Sequence, residues 1–287
     1  WIQLFAETNQ EAADLHIQAF KLAEELSVPV MVCMDGFILT HAYERVDIPE
    51  QATVDKYLPP FEPRQVLDPA NPYSIGAMVG PEAFTEVRYL AHDRQICALE
   101  VIPRIADEFK ALFGRDSGGL IHTYLTEDAE TIVVTLGSVA GTVKDTVDLM
   151  RENGTRIGVV SICSFRPFPK DQIRAVLEQA KRVVVLEKSF ALGFGGIVAN
   201  NVMMSMQRTG VHVYTAVAGL GGRPIIRTSL TALFEKAGRD ELEDVHFLDL
   251  DWEVVNRELD RARESITSGP TAENILRDLG PGVAKAV

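Results

Sequence analysis

The sequence predicts an α/β protein built on parallel sheets, and two features of the chain carry that prediction. Short, continuous apolar runs rich in valine recur along it, as expected of parallel strands that are buried on both faces. Segments with apolar residues at helical spacing separate most of these runs, and such alternation is typical of parallel sheets covered by helices. The chain has 287 residues, 46% of them hydrophobic, enough to build a substantial core over about two domains.

Charge and cysteine usage narrow the class of protein. The formal net charge is −13 and no Lys/Arg cluster interrupts that acidity, so we expect no binding to nucleic acid or to an anionic membrane surface. No apolar run approaches the length of a membrane helix, and no signal peptide is visible. Cys33, Cys97 and Cys163 fit neither a disulfide framework nor a CxxC metal site. We therefore expect a cytoplasmic protein that ligates no Fe–S cluster by itself.

The first 45 residues are predicted to form a strand, a helix and a strand. Trp1–Ala6 is the first strand, and the capping box Thr8–Glu11 starts a helix that runs to Leu26. Val28–Met34 is the second strand, so the unit is βαβ with parallel strands. One such unit cannot bury both faces of its sheet. We therefore expect this chain to be the C-terminal part of a longer one, with the missing strands upstream of Trp1.

The turn after the second strand is the predicted functional loop. Asp35-Gly36 is a turn pair, and in open α/β sheets ligand chemistry lies just past the carboxyl ends of the strands. Asp35 and His41 are therefore the candidate catalytic residues, Asp35 as a group that orients another and His41 as a titratable group near substrate. Structural alternatives remain open, namely turn stabilisation by Asp35 and a hydrogen bond from His41 to a loop carbonyl. No metal-ligating residue is predicted.

Residues 46–125 read as a connector followed by a helix. Seven of the fourteen prolines lie between Pro49 and Pro81, and because proline fixes φ and removes backbone donors we expect little regular structure there. Apolar residues at helical spacing then predict a helix over Glu82–Phe113, with Gly114 as its end.

A regular second domain follows from Thr131. Four predicted strands alternate with helices, which indicates a parallel sheet covered on both sides. The predicted strands are Thr131–Leu136, Ile157–Ser161, Val183–Glu187 and Val211–Ala216. Residues 166–169 are predicted to form a turn, and 240–263 a charged helical tail.

Glycine-rich loops follow three of these strands. Gly193–Gly196 and Gly219–Gly222 resemble phosphate-binding loops, but neither has the GxGxxG spacing, so nucleotide binding is not the favoured interpretation. Gly137–Thr142 is interpreted as a tight strand–helix turn. The pair Glu187-Lys188 is either a catalytic pair at a strand end or, in the better interpretation, an ion pair or domain contact.

The ordered set of these motifs resembles the α subunits of the pyruvate:ferredoxin oxidoreductase family. The motifs that carry the resemblance are Trp1–Glu11, Asp35-Gly36-Phe37 with Thr40-His41, Leu67-Asp68-Pro69, Glu86-x-Arg88-Tyr89, Glu108-Phe109 and Phe113-Gly114-Arg115. Residues 131–222, with Phe165–Pro169 and Glu187-Lys188, are similar to the transketolase C-terminal-like domain of that subunit.

The resemblance implies a domain order. Residues 1–45 would be the C-terminal part of a pyrimidine-side thiamine-diphosphate domain, and residues 46–125 would be the proline-rich connector and helix. Residues 126–265 would form the transketolase C-terminal-like parallel α/β domain, and residues 266–287 would be a tail. Gly36, Phe37 and Thr40 would then lie close to the cofactor. The family's catalytic Glu and its substrate-binding Thr and Arg fall upstream of Trp1, so none of them is mapped onto this sequence.

The resemblance also implies an activity. The family oxidatively decarboxylates a 2-oxoacid, here pyruvate, to acetyl-CoA and CO2 and passes electrons to ferredoxin, or runs the reverse reaction. Thiamine diphosphate and Mg²⁺ would be bound mainly by a partner chain, and Fe–S clusters and coenzyme A elsewhere in a complex with β-, γ- and δ-type subunits. The alternatives are another thiamine-diphosphate chain, of the transketolase or 2-oxoacid dehydrogenase E1β type, and a non-catalytic assembly subunit.

Overall fold

The computed structural model describes residues 1–76, 78–264 and 271–280. Residues 1–246 form one compact unit, and the described residues after 246 form a second. The described strands belong to a three-stranded and a six-stranded sheet with helices between them, so the predicted α/β class with parallel strands is confirmed.

The first sheet begins with the predicted βαβ unit. Strands β1 (Ile2–Phe5) and β2 (Val30–Cys33) pair in parallel, and helix α1 (Asn9–Leu26) connects them. Thr8 caps α1, since its Oγ1 accepts a hydrogen bond from the Glu11 N–H at 3.1 Å. The Glu11 carboxylate reaches back to the N–H of Glu7 at 2.7 Å, so the capping box forms with its return bond displaced by one residue.

One expectation about this sheet was wrong. Among the described residues, β2 is an edge strand, with Met31 41% exposed, and is not buried on both faces. A third strand comes from downstream, because Ser164–Arg166 pairs antiparallel with β1; further strands upstream of Trp1 stay a prediction. That segment has only three residues and runs into Pro167, so its sequence reads as part of a turn.

The connector contains more helix than predicted. One helical turn, α2 (Ile38–His41), and a helix, α3 (Gln51–Tyr57), precede the long helix α4 (Phe84–Phe113). Helix α3 occupies the proline-free run between Pro49 and Pro59. It anchors the connector, since the Tyr57 hydroxyl donates to the carbonyl of Ile105 at 2.9 Å.

Helix α4 is confirmed in extent and in its end. Gly114 adopts φ 72° at the C-cap, a left-handed conformation that glycine adopts without strain. The C-terminal half buries Ala98, Ile102, Ile105 and Phe109 against α1 and β1, while the N-terminal half exposes apolar residues including Phe84, Tyr89 and Leu90.

The second sheet has the strand order β3-β5-β4-β7-β8-β9. Its four central strands are parallel, as predicted. The antiparallel β3 and the short β9 were not predicted. The bounds are β3 Ile121–Tyr124, β4 Thr131–Thr135, β5 Ile157–Ile162, β7 Arg182–Glu187, β8 His212–Val217 and β9 Val245–Phe247; Ser164–Arg166 is β6.

Helices follow most of these strands. Their bounds are α5 Val139–Glu152, α6 Lys170–Leu177, α7 Ile197–Ser205, α8 Arg227–Gly238, α9 Trp252–Glu264 and α10 Thr271–Leu279. Helix α5 begins at Val139 and includes Gly141, which the sequence placed in a loop. The predicted helical tail at 240–263 holds β9 before α9. Of the predicted tail at 266–287, residues 266–270 and 281–287 lie outside the described residues.

Valine and isoleucine fill the core of the second sheet. All five residues of β4 and all six of β5 are buried, as expected for parallel strands that helices cover on both faces. Gly158 in β5 lies where another segment crosses closely: a Cβ there would sit 2.3 Å from the backbone oxygen of Leu125.

We expect Gly158→Ala to lower the free energy of unfolding by about 2 kcal/mol, because a backbone oxygen cannot move away as a flexible side chain can. Urea unfolding measures the change. Gly141→Ala is the matched control: it lies inside α5 with open space around it, so it should be neutral or stabilise by up to about 1 kcal/mol. Equal effects of the two changes would contradict the predicted clash.

Candidate functional site

Asp35 connects the end of β2 to the carboxyl edge of the second sheet. Its Oδ2 accepts a hydrogen bond from the N–H of Ser138 at 2.5 Å, and its Oδ1 pairs with Lys188 Nζ at 2.9 Å. Ser138 follows β4 and Lys188 follows β7, and these strands are parallel neighbours. The loops past three strand ends therefore meet at one carboxylate. Carboxyl ends of strands are the usual place for a ligand in such sheets.

The environment of Asp35 favours its charged form. Burial by itself would raise the pKa of this carboxyl, but hydrogen bonds from Ser138 and Lys188 outweigh it and hold the pKa below its ordinary value. Gly137 completes the contact, because a Cβ there would lie only 3.0 Å from Oδ2. The bond from Lys188 agrees with the ion-pair interpretation of that residue, whereas the Asp35 carboxylate contacts distant segments, so its turn-stabilising role stays a prediction.

The loop beyond Asp35 brings the remaining candidates together. The Phe37 N–H donates to Thr40 Oγ1 at 2.8 Å, and Thr40 Oγ1 lies 3.0 Å from His41 Nδ1. The rings of Phe37 and His41 stack with centroids 5.1 Å apart. Phe37 has φ 70°, an uncommon conformation for a bulky residue, and its side chain is 73% exposed. The loop thus presents one aromatic pair and one hydroxyl to the outside, while Gly36 has open space around it.

Glu187 explains one of the glycine-rich loops. Its carboxylate is buried at the N-terminus of α7 and accepts the backbone N–H groups of Ile197, Val198 and Ala199 at 2.8, 2.8 and 3.1 Å. A Cβ at Gly196 would overlap that carboxylate. The helix terminus that a phosphate would use is therefore filled by the chain's own acid, which agrees with the prediction that Gly193–Gly196 does not bind a nucleotide.

Arg115, a residue of the family-like motif, has a structural partner. Its guanidinium bonds both oxygens of Asp14 at 2.9 and 2.7 Å, and the Ser117 hydroxyl donates to the same carboxylate at 2.8 Å. Asp14 is fully buried. This fork ties α1 to the segment that leaves α4.

A second polar cluster was not anticipated from the sequence. Glu11, His122 and Cys163 come together from three distant segments, and one ligating atom from each lies within 4.8 Å of the others. Burial raises the pKa of the Cys163 thiol well above its ordinary value. Sequence spacing gave no signal for this cluster, because β3 and β6, which position two of its members, were not predicted.

Several large apolar side chains are exposed to solvent. Those above 70% exposure include Phe37, Tyr43, Leu192 and Phe194.

None of the described helices has the length and apolarity that a membrane crossing requires.

Comparison with known proteins identifies the family. Residues 1–105 match the family described as "Pyruvate flavodoxin/ferredoxin oxidoreductase, thiamine diP-bdg", and residues 129–229 match "Pyruvate:ferredoxin oxidoreductase core domain II". The predicted loop lies in the first match and Glu187-Lys188 in the second.

Curated relatives agree with both matches. Pyruvate synthase subunit PorA of Methanosarcina barkeri is 44% identical over 243 residues, which are 82% of this chain and 60% of that protein. PorA of Pyrococcus furiosus is 38% identical over 266 residues, 89% of this chain and 67% of that protein. Ketoisovalerate oxidoreductase subunit VorA of Pyrococcus horikoshii is 37% identical over 238 residues, which are 82% of this chain and 60% of that protein. The chain thus spans about 60% of the length of the first relatives it matches.

Among solved structures, 2-oxoglutarate:ferredoxin oxidoreductase from Magnetococcus marinus shares the fold, with a TM-score of 0.55 at 16% identity over 82% of this chain and 42% of that chain. The chain belongs to the pyruvate:ferredoxin oxidoreductase family, and the resemblance that the motifs indicated is confirmed. The predicted α/β fold class is confirmed as well, and the family model that matches residues 1–105 is described as thiamine-diphosphate-binding.

We expect Asp35→Asn to lower the free energy of unfolding by about 1–2 kcal/mol at pH 7, because the ion pair with Lys188 is lost and one carboxylate acceptor becomes neutral. The folded pKa of Asp35 is depressed, so its contribution is fully present above the ordinary value and disappears as the pH falls through the folded pKa. The gap between wild type and variant should be constant from about pH 8 to 5 and narrow below about pH 4.

Urea unfolding at a series of pH values measures this gap. Asp55→Asn is the control, since Asp55 is exposed and only accepts a bond from Gln51 one helical turn away; it should show little effect at any pH. A gap between wild type and Asp35→Asn that is as wide at pH 3 as at pH 7 would contradict the role assigned to the charge.

Proposed function

We propose that this chain is part of the α subunit of a pyruvate:ferredoxin oxidoreductase, which decarboxylates pyruvate oxidatively to acetyl-CoA and CO2 and passes electrons to ferredoxin, or runs the reverse. The observation that carries the proposal is the agreement of the relatives: proteins named pyruvate synthase subunit PorA are 36–44% identical over most of this chain. A relative named for ketoisovalerate is 37% identical, within the same range, so we base the choice of pyruvate on the 44% identity of the Methanosarcina barkeri PorA.

The described residues suit one end of thiamine diphosphate better than the other. The loop Gly36–His41 offers an exposed aromatic pair and a hydroxyl, which can face a heteroaromatic ring. The helix terminus at α7 is filled by Glu187, and the glycine turn before α5 is filled by Asp35, so neither accepts a diphosphate. We therefore assign the ring end to this chain, and the diphosphate and Mg²⁺ to a partner chain.

The chain's own residues then have positioning roles. Asp35, tied to Ser138 and Lys188, holds the base of the loop against the second sheet. The Phe37 ring and the Thr40 hydroxyl fix the orientation of the His41 imidazole, which can then exchange a proton near substrate. When bound, thiamine diphosphate supplies the electron sink for loss of CO2.

Two observations support the proposed partners. Cys33, Cys97 and Cys163 are fewer than the four thiolates that an Fe–S cluster normally takes, so we assign the clusters that lead to ferredoxin to partner chains or domains. The exposed side chains of Phe37, Tyr43, Leu192 and Phe194 are apolar groups of the kind that contact between subunits buries. A β-type chain that carries the diphosphate end of the cofactor is the partner that we place over the loop. We also propose a cytoplasmic location.

The direct test is an assay of the full-length protein in complex with its partner subunits. We expect pyruvate- and coenzyme-A-dependent reduction of ferredoxin or methyl viologen, with kcat/KM for pyruvate above that for 2-oxoisovalerate. A higher kcat/KM for 2-oxoisovalerate than for pyruvate would make 2-oxoisovalerate the proposed substrate instead. No reduction with any 2-oxoacid, or dependence on a lipoyl carrier, would reject the proposed function.

The role of His41 is tested separately in that complex. We expect His41→Ala to lower kcat by about 10-fold or more, since a positioned proton-transfer group contributes roughly 10²–10⁴-fold and solvent can replace part of it. His92→Ala is the matched control, because His92 is exposed on α4 and should retain wild-type kcat. Equal rates in both variants would remove His41 from the proposed site and leave the family activity intact.

A further inference from the structure

Three side chains that can ligate a metal meet where the chain crosses from the second sheet to the first. Glu11 lies in the first turn of α1, His122 lies on β3, and Cys163 lies between β5 and β6. One ligand atom from each is within 4.8 Å of the other two. The Glu11 and Cys163 side chains are buried, and the His122 side chain is 27% exposed. A carboxylate, an imidazole and a thiol enclosed together differ from a solvated cluster of acids.

An independent observation points to a ligand at this cluster. Four buried side-chain atoms of the described residues have no hydrogen-bond partner, and three of them lie in this region: His122 Nε2, Glu7 Oε1 and Ser161 Oγ. Ser161 is 1% exposed and is the direct cross-strand partner of His122 in the β3–β5 ladder, so both side chains lie on one face. Buried polar atoms are nearly always paired, so such a concentration needs an explanation.

The surrounding bonds orient the candidate ligands. The Glu11 carboxylate accepts backbone N–H groups from Glu7 at 2.7 Å and from Gly118 at 3.1 Å. Glu7 is oriented by Lys144, whose Nζ lies 2.5 Å from Glu7 Oε2 and leaves Oε1 unused. His122 Nε2 lies 3.1 Å from Glu11 Oε1, an ion-pair contact when the imidazole is protonated, which a metal ion bound to both groups would replace. Such outer bonds fix metal ligands in place and raise affinity.

We propose that Glu11, His122 and Cys163 bind a zinc ion. Zinc accepts mixed sulfur, nitrogen and oxygen ligands at about 2.0–2.3 Å in a tetrahedral arrangement, which ligand atoms less than 4.8 Å apart can adopt. Calcium and magnesium prefer oxygen alone. Binding would release the thiol proton of Cys163 to solvent. The ion would join α1, which packs on the first sheet, to β3 and the end of β5 in the second.

Zinc content of the full-length chain in its complex tests the site. After purification with zinc and exhaustive dialysis, we expect about one more zinc per copy of this chain in wild type than in Cys163→Ser or His122→Ala, because loss of an outer-shell contact alone costs roughly 10–100-fold in metal affinity. Cys97→Ser is the matched control: Cys97 lies on α4 outside the cluster and should retain the wild-type content. Comparison between variants cancels any zinc held by partner chains.

A second measurement needs no activity. After chelation, added zinc should raise the Tm of wild type and Cys97→Ser, by roughly 5 °C at saturation well above the Kd, and leave His122→Ala unchanged. Should Cys163→Ser fail to assemble, His122→Ala decides the matter, since its side chain is partly exposed. Equal zinc in all four proteins, or no zinc-dependent rise in the Tm of wild type, would overturn the proposal.

Discussion

The carboxylate of Asp35 is the contact on which the arrangement of this molecule depends. It lies at the end of an edge strand of the first sheet and bonds a backbone N–H and an ammonium group that belong to the second. Because both partners follow parallel strands of one sheet, a single side chain sets the position of the loop that carries Phe37, Thr40 and His41. The neighbouring Gly137 leaves just enough space for this approach. The same contacts of Asp35 therefore position the loop and join the first sheet to the second.

Glu187 shows how the same sheet edge can be closed to one kind of ligand and open to another. By accepting three N–H groups at the start of α7, it satisfies donors that would otherwise attract an anion. The two residues of the pair Glu187-Lys188 thus have different partners. Glu187 caps the N-terminus of α7, and Lys188 forms an ion pair with Asp35. The two residues make different contacts because Glu187 is the last residue of β7 and Lys188 lies in the loop beyond it.

The central strands and the long helices were predictable because each carries a full local pattern. Valine runs such as 183–186 and the capping box at Thr8 need no distant information. The strands β3, β6 and β9 have three or four residues each, and their pairing partners lie far along the chain, so local patterns could not reveal them. The strand-end rule predicted the loop from Asp35 to His41 as functional, and that assignment stays a prediction. The bond from Asp35 to Ser138 was missed, since it joins positions 103 residues apart. The cluster around His122 was missed for the same reason.

Strand β2 has a neighbour on one side only among the described residues. The outer row of its backbone amides and carbonyls is thus a template on which an extended peptide can add by β-augmentation, and parallel edges without charged guard residues are prone to do so. The β2 sequence, Val30-Met31-Val32-Cys33, carries no charge and no proline. Chain produced in isolation would therefore self-associate along this border unless another segment or subunit occupies it first.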